Sequence, residues 1–281
     1  MKRFFFSLIA LAAVTIGCTK SGLVEVPQTF ETPISFDPYT GKAPTTKATV
    51  MDEDALKADM TTLKGGFHVS AFTRTGEGES AVVNYVTPYM DENVWWAAAT
   101  ASGGTDSEEP EDDNTETVAD GDETQEGEGS TRGTWDYEGK AYWPEGALDF
   151  VAYGLNAERH MQFSSNKDFT YTVPTFVSDQ EDLIVSKPQP GMTNVNGAAI
   201  NLPFYHLLSK VGFSLQTNDD PDNVTVKIKK IELNGNFFGK GTVDMTLVKD
   251  HDPDENHEDL RPYITSDPTS KITSYSLFGT L

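Results

Sequence analysis

The stretch Phe67-His-Val-Ser-Ala-Phe72 alternates apolar with polar side chains, and Leu148-Asp-Phe-Val-Ala-Tyr153 is a second short run dominated by apolar residues. Alternation with a period of two predicts a half-buried strand, and a short apolar run between turn residues is consistent with a buried one. Similar runs recur along the chain with Gly, Pro, Asn and Asp between them. They predict strands at residues 82–89, 182–186, 205–215, 243–247 and 272–278. The sequence therefore predicts an all-β fold, a β-sandwich.

A change of phase interrupts one of these alternating segments. Apolar residues alternate from Val224 to Ile228 and resume one position out of phase at Ile231. Because a shift of one residue turns every later side chain to the opposite face of a sheet, we expect a β-bulge at Lys229-Lys230.

Helical periodicity is confined to residues 51–63, where Leu56, Met60 and Leu63 recur at spacings of three to four. This spacing predicts one short amphipathic helix. The residues before it, 19–47, carry four prolines and few apolar clusters, so we expect an extended arm with a strand-like piece at Ile34-Ser-Phe36.

The N-terminus has the pattern of an export signal. Lys2 and Arg3 precede an apolar run from Phe4 to Ile16, which is too short for a membrane-spanning helix of about 20 residues. The run ends at Cys18, and Val-Thr-Ile-Gly-Cys18 resembles a bacterial lipoprotein lipobox. That resemblance implies cleavage before Cys18 and its acylation. The alternative is an ordinary signal peptide with an incidental cysteine.

Charge and cysteine content exclude several classes of function. The chain of 281 residues has a formal net charge of −23, which opposes binding to nucleic acid or to an anionic membrane surface. Cys18 is the only cysteine, so no intrachain disulfide can form.

Residues 101–133 differ from the rest of the chain. Twelve of the 23 residues at positions 106–128 are Asp or Glu, and most of the others are small or polar. Such a segment cannot bury enough apolar surface to offset its ordering entropy, so we expect a disordered acidic insertion in a loop. Calcium binding is the alternative, but the segment lacks the ligand spacing and turn glycine of a calcium loop.

No pattern of catalytic residues is evident, and we expect neither enzymatic activity nor a cofactor or metal. The five histidines are scattered without a metal-binding spacing, and His206 fits the polar face of a strand. The acidic residues 251–259 read as a surface turn, because His257 stands where a calcium loop needs glycine. The pair Trp95-Trp96 suggests either a sugar-stacking platform or, as we prefer, core packing.

Three stretches carry a family resemblance. The first is Trp135-Asp-Tyr-Glu-Gly-Lys-Ala-Tyr-Trp-Pro144 with the apolar run that follows it. The second is Leu202-Pro-Phe-Tyr-His-Leu-Leu-Ser-Lys-Val211, and the third is the opening, with Cys18, Ile34-Ser-Phe36 and Thr45-Thr-Lys-Ala48. Together they resemble the fimbrillin-like family of Bacteroidales surface lipoproteins, the subunits of type V pili. The first is similar to the family's YWP signature and the second to its F-x-H-x-L-x-K-V segment.

The resemblance implies a domain plan. Family members usually carry two transthyretin-like sandwiches. We expect a signal peptide at residues 1–17, a lipidated arm at 18–47 and one complete N-terminal fimbrillin-like sandwich at 48–250, with 101–133 inserted in it. Residues 251–281 are too few for a second sandwich, so we expect a truncated or vestigial second domain there.

The resemblance also implies a function and a location. A subunit held on the outer membrane by its lipid is cut after a basic residue, loses its arm, and accepts a strand from the next subunit. Lys42 and Lys47 are the candidate cleavage residues, and Lys47 fits the position better; the alternative is that Lys47 is an ordinary solvated lysine. Arg74 and Arg132 are the next arginines.

The implied partners are other pilin subunits, the outer membrane through the lipid, and a host or bacterial surface ligand. The expected function is that of a structural or adhesive subunit of a fimbrium. The rival hypothesis is a monomeric surface lipoprotein that binds glycan or host protein and does not polymerise.

Overall fold

A computed structural model describes residues 32–40, 51–61, 65–98, 133–214, 216, 227–251 and 259–277. All of them belong to one compact unit, residues 32–281. The expected signal peptide, Cys18, Lys42, Lys47, Arg132 and nearly all of the acidic insertion lie outside the described residues. Within the described part of the chain, no helix is long and apolar enough to cross a membrane.

The all-β prediction is confirmed. The described residues contain one α-helix, α1 (Glu53–Leu56), three short 3₁₀ segments and seventeen strands. The strands are β1 (Phe36–Thr40), β2 (Phe67–Thr75), β3 (Val82–Val83), β4 (Met90–Ala97), β5 (Thr134–Tyr137), β6 (Ala147–Gly154), β7 (Met161–Phe163), β8 (Asp168–Thr172), β9 (Ile184–Ser186), β10 (Gln189–Met192), β11 (Ile200–His206), β12 (Ile231–Phe238), β13 (Lys240–Asp244), β14 (Lys249–Asp250), β15 (Leu260–Arg261), β16 (Thr265–Ser266) and β17 (Lys271–Leu277).

The largest sheet has the strand order β1-β11-β9-β6-β2-β4-β5, with β10 also paired to β6 and β3 to β2. Its centre is the antiparallel pair of β2 and β6, in register from Phe67 opposite Gly154 to Arg74 opposite Ala147. β2 contains the alternating run Phe67–Phe72, and β6 contains the apolar run Leu148–Tyr153. The pair of β1 and β11 is parallel, in contrast to the antiparallel pairs of the rest of the sheet.

A second, four-stranded sheet of order β16-β13-β8-β7 packs on one face of the large sheet. Phe169, Tyr171 and Val243 of the small sheet share an apolar core with Val151 and Tyr153 of β6. This arrangement of two sheets on one core is the two-layer packing that the strand pattern predicts.

The opposite face of the large sheet has its own core, built mainly from strands of that same sheet. We call it the inner core. Members include Phe67, Val69, Leu148 and Phe150 from the central strands and Tyr137 from the edge strand β5. β6 buries both faces, so its side chains are apolar at nearly every position, and seven of its eight residues are buried.

Two predicted elements are shorter than expected. The helix covers only Glu53–Leu56, where the Asp52 carboxylate caps the Ala55 N–H. The chain leaves the helix soon afterwards, because the N–H of Gly66 bonds the carbonyl of Leu56. Residues 82–89 form only β3, and the full strand in this region is β4.

The strand predicted at residues 205–215 ends early. β11 ends at His206, and the described residues 207–214 form no strand. Val211 and Phe213 are exposed by 59% and 49% of their surface, so the alternation continues in the sequence without a neighbouring strand to pair with.

The predicted bulge is displaced. Lys229-Lys230 precede the strand, and the irregular register lies within β12, between Asn234 and Phe237. Gly235 is in that interval, and a strand glycine commonly marks a bulge.

The C-terminal strands pair with nearby strands of the chain. β15 pairs with β14, β16 with β13, and β17 with β12. The boundary at residue 250 and a vestigial second domain stay predictions.

Candidate functional site

The arm strand β1 alternates between buried and exposed residues. Ile34, Phe36, Pro38 and Thr40 are buried, whereas Asp37 and Tyr39 between them are exposed. This is the period-two pattern of a strand with one face against a core. The side chains of Ile34 and Phe36 belong to the core formed inside the large sheet.

One side of the arm is bonded to β11. The parallel register places Phe36 opposite Ile200 and Thr40 opposite Phe204, and the N–H of Ile200 donates to the carbonyl of Ser35 at 2.8 Å. Pro38 has no N–H to donate, which restricts it to an edge position of a sheet. The arm therefore adds an edge strand beside β11.

The residues just before β1 contact the segment that follows β5, the last strand in the order of the large sheet. Pro33 forms a bridge with Tyr142, the Ile34 N–H donates to the Ala141 carbonyl at 2.9 Å, and the Trp143 N–H donates to the Thr32 carbonyl at 3.1 Å. We call this set of contacts the seam. Through it the arm links β11 to the chain that follows β5.

Tyr137 strengthens the seam from β5. Its hydroxyl donates to the Ile34 carbonyl at 2.8 Å, and the Ala141 carbonyl lies 3.2 Å away. Burial raises the pKa of Tyr137 to about 12, so the proton that makes this bond is held at neutral pH. The YWP signature noted in the sequence is thus the segment that pairs with the arm.

Phe36 fills the centre of the inner core. Its ring lies 5.9 Å from the rings of Phe67 and Tyr137 and 6.2 Å from that of Phe150, between centroids. Edge-to-face contacts at this distance are favourable beyond simple burial. Burying Ile34 and Phe36 stabilises the arm by about 1.5–3 kcal/mol each.

The chain that follows the arm is held by separate contacts. The Met51 N–H donates to Oδ2 of Asp182 at 3.0 Å, and Nδ1 of His206 lies 2.7 Å from the same oxygen. Met51 and Leu56 are buried in the inner core. Residues on both sides of the interval 41–50 are therefore anchored in the inner core, and Met51 has an additional hydrogen bond to Asp182.

His206 of the F-x-H-x-L-x-K-V segment is an ion-pair partner in this anchor. Its hydrogen bond to Asp182 raises the pKa of His206, and partial burial opposes that effect without cancelling it. The imidazole thus holds the carboxylate that receives the Met51 N–H.

A Ser-His-Asp cluster on β2 and β4 lacks nucleophilic geometry. The Ser70 hydroxyl donates to Asp91 at 2.7 Å. Nε2 of His68 lies 3.4 Å from the Ser70 oxygen but closer, at 3.0 Å, to the Asp91 carboxylate, and Nδ1 of His68 meets Asn93. Ser70 is buried, so its oxygen is not presented to a substrate. Burial lowers the pKa of His68, but the bonds to Asp91 and Asn93 outweigh it and the pKa is raised.

The tryptophan pair does not form a shared stacking surface. Adjacent residues of a strand point to opposite faces. Trp95 packs against the inner core, while the Trp96 ring meets Trp135 at 5.3 Å and Lys57 at 4.8 Å. Within the described ranges, no cluster of His, Cys, Asp or Glu could hold a metal ion.

Sequence reasoning identified the arm but missed its second set of contacts. The bond between Tyr137 and Ile34 joins residues 103 positions apart, so no local pattern indicates it. The local signal for an edge strand is the presence of Pro33 and Pro38. Proline has no N–H to donate and is therefore confined to edge strands and to the starts of strands.

We predict that Tyr137→Phe loosens the seam. Loss of the hydroxyl leaves the buried Ile34 carbonyl without this donor, which costs about 1–3 kcal/mol. Hydrogen exchange at the Ile34 and Trp143 amides should accelerate accordingly. Tyr171→Phe is the matched control, because its hydroxyl donates to the Glu181 carbonyl at 3.2 Å in the core beneath the small sheet and touches no residue of the seam. Equal exchange at both amides in the Tyr137 variant and the wild type would contradict a role in the seam.

We also predict that the His206–Asp182 pair stabilises the fold more at low pH. Because the folded pKa of His206 is raised above 6.5, its stabilisation is complete below 6.5 and is lost as the pH rises through the folded value. The difference in unfolding free energy between wild type and His206→Gln should therefore shrink as the pH rises above 6.5. In an Asp182→Asn background the His206→Gln change should show little of this pH dependence; an unchanged dependence would refute the pairing.

Comparison with known proteins agrees with this architecture. A family described as fimbrillin-like matches residues 90–276, which is more than half of the chain and runs from β4 into β17. Searches of curated proteins and of solved structures gave no match. The matched range includes the YWP seam segment, β11 and the small sheet. This chain is a member of the fimbrillin-like family.

Proposed function

We propose that this protein is a subunit of a surface pilus that assembles when a protease releases its N-terminal arm and a strand of another subunit takes the arm's place. The observation that carries the proposal is the arm itself. Four alternate residues, Ile34, Phe36, Pro38 and Thr40, are buried, and the backbone is bonded both to β11 and to the segment that follows β5. Membership of a structural pilin family supports a structural rather than an enzymatic role.

The position of the candidate cleavage residue supports the same mechanism. Lys47 lies between Thr40, where β1 ends, and Met51, where the separately anchored chain begins. A cut there separates the arm covalently from the body. The body keeps its helix and the Asp182 anchor, so the loss is confined to the arm.

Removal of the arm leaves a groove with defined chemistry. β11 regains an unpaired edge, the seam carbonyls and amides of Ala141 and Trp143 lose their partners, and the space of Phe36 opens beside Phe67 and Phe150. Unpaired edge groups and an apolar slot are what β-strand addition satisfies. A strand with apolar side chains at alternate positions fits this groove.

Arg74 is a poor competitor for a trypsin-like protease. It lies in the central strand β2 and forms a bidentate ion pair with Asp149, with Nε–Oδ1 at 2.6 Å and Nη2–Oδ2 at 3.0 Å. Proteolysis favours exposed, locally unfolded chain, and the arginine side chain here is only 19% exposed. Cleavage is thereby directed away from the sheet.

The lipid and the location complete the proposal. Acylated Cys18 would be the first residue of the arm, so a cut at Lys47 would release the lipid together with the arm. Before the cut, the lipid holds the subunit on the outer membrane; afterwards, other pilin subunits hold it in the fimbrium. The function requires no cofactor.

Controlled proteolysis of the unprocessed protein tests this proposal. We expect a trypsin-like protease to yield a product beginning at Ala48, followed by a ladder of oligomers that survives hot detergent. Every sample should carry Arg132→Gln, so that a cut in the acidic insertion does not split each subunit into two fragments on the gel. Lys47→Ala should abolish the ladder.

Lys42→Ala is the matched control, because it removes a basic residue from the same interval and leaves Lys47 in place. Its ladder should equal that of the unmodified chain. A product beginning at Ala48 that stays monomeric would favour the rival monomeric binder, and a ladder that persists in the Lys47 variant would exclude Lys47 as the maturation residue.

A further inference from the structure

A pocket lies at the arm end of the large sheet, and Phe204 of the inner core contributes to its lining. Its volume is about 520 Å³, within the range of about 300–1,000 Å³ typical of small-molecule sites. One wall is formed by Tyr39 of β1 and by Pro203 and Tyr205 of β11, and the other by the segment from Arg261 to Ile264. Neither the arm mechanism nor the family match uses this pocket.

Aromatic rings dominate the walls. Tyr39, Tyr205 and Tyr263 all line the pocket, and Tyr39 is 56% exposed although it lies in a strand whose alternate residues are buried. The face of an aromatic ring is electrostatically negative. It therefore attracts groups that present a patch of weakly positive C–H hydrogens, such as one face of a pyranose ring.

Polar groups complement these rings. Arg261 and His206 line the same pocket, and the guanidinium carbon of Arg261 lies 5.3 Å from the centre of the Tyr205 ring. Nδ1 of His206 is engaged with Asp182, which leaves Nε2 as its nitrogen for a ligand. A ligand with several hydroxyl groups can both donate to and accept from such a set.

The charge environment selects a neutral ligand. Arg261 is already paired with Asp259, with Nε–Oδ1 at 2.9 Å, so a second carboxylate gains little from its charge. The protein as a whole carries a formal charge of −23, which repels anions. Acidic sugars and acidic peptides are therefore disfavoured.

We propose that this pocket binds a neutral saccharide, whose C–H face stacks on Tyr39 and Tyr263 and whose hydroxyl groups meet Arg261 and His206. A proline-rich peptide also docks on aromatic walls, but it has few hydroxyl groups with which to use the guanidinium and the imidazole. The saccharide can contact both the aromatic rings and the polar groups of the lining. Since Tyr39 belongs to the arm, the pocket is complete in the form of the protein that retains β1.

The proposal is independent of strand addition and is tested on the full chain carrying Lys47→Ala, which keeps the arm attached. Saturation-transfer NMR would compare three neutral disaccharides (lactose, maltose and diacetylchitobiose) with sialyllactose and with an octaproline peptide. We expect saturation transfer to at least one neutral disaccharide. Its dissociation constant should be at least tenfold larger in Tyr39→Ala and in Tyr263→Ala.

Phe176→Ala is the control, because Phe176 is an aromatic residue exposed by 72% that does not line the pocket. It should leave binding unchanged, and thermal unfolding should verify that each variant is folded. Binding of only sialyllactose, binding of only octaproline, no saturation of any probe, or saturation that is equal in the Tyr39, Tyr263 and Phe176 variants would each overturn the proposal.

Discussion

The structure depends on one short segment that pairs with β11 and with the chain that follows β5. Residues 36–40 pair with β11, and residues 32–34 pair with residues 141–143. Without the segment, β11 would present an unpaired edge, the backbone groups of Ala141 and Trp143 would lose their partners, and an apolar slot would open at the place of Phe36. Exposed edges of this kind are a general hazard for β proteins, and most folds cover them. Here the cover is a piece of chain joined to the body through a single interval, residues 41–50.

The two ends of that interval are stabilised by different interactions. On the arm side, the contacts are aromatic packing around Phe36 and backbone pairing. On the body side, they are the burial of Met51 and Leu56 and the carboxylate of Asp182, supported by His206. Both sets include members of the inner core, whereas the hydrogen bond of Met51 to Asp182 involves no residue of the arm. That bond gives the body an attachment that does not depend on the arm.

The sequence predicted the parts of the fold that local patterns encode. The alternation of residues 67–72 and the apolar run of residues 148–153 identified β2 and β6, whereas the strand-like piece predicted at Ile34-Ser-Phe36 overlaps β1, which begins at Phe36, by one residue. The seam could not be predicted, because the bond of Tyr137 to Ile34 joins residues 103 positions apart. Strand ends were misjudged for a related reason. Alternation beyond His206 continues in the sequence, but a strand exists only where a neighbour supplies hydrogen bonds.

The central claim is that residues 32–40 complete the fold, and peptide complementation measures this most directly. The chain beginning at Ala48 would be titrated with a synthetic peptide of residues 32–40, with unfolding followed by circular dichroism. We expect the shortened chain to be markedly less stable than the full chain and to recover stability with the peptide, whereas a peptide carrying Phe36→Asp should have little effect. A shortened chain as stable as the full one, with no response to the peptide, would contradict the account.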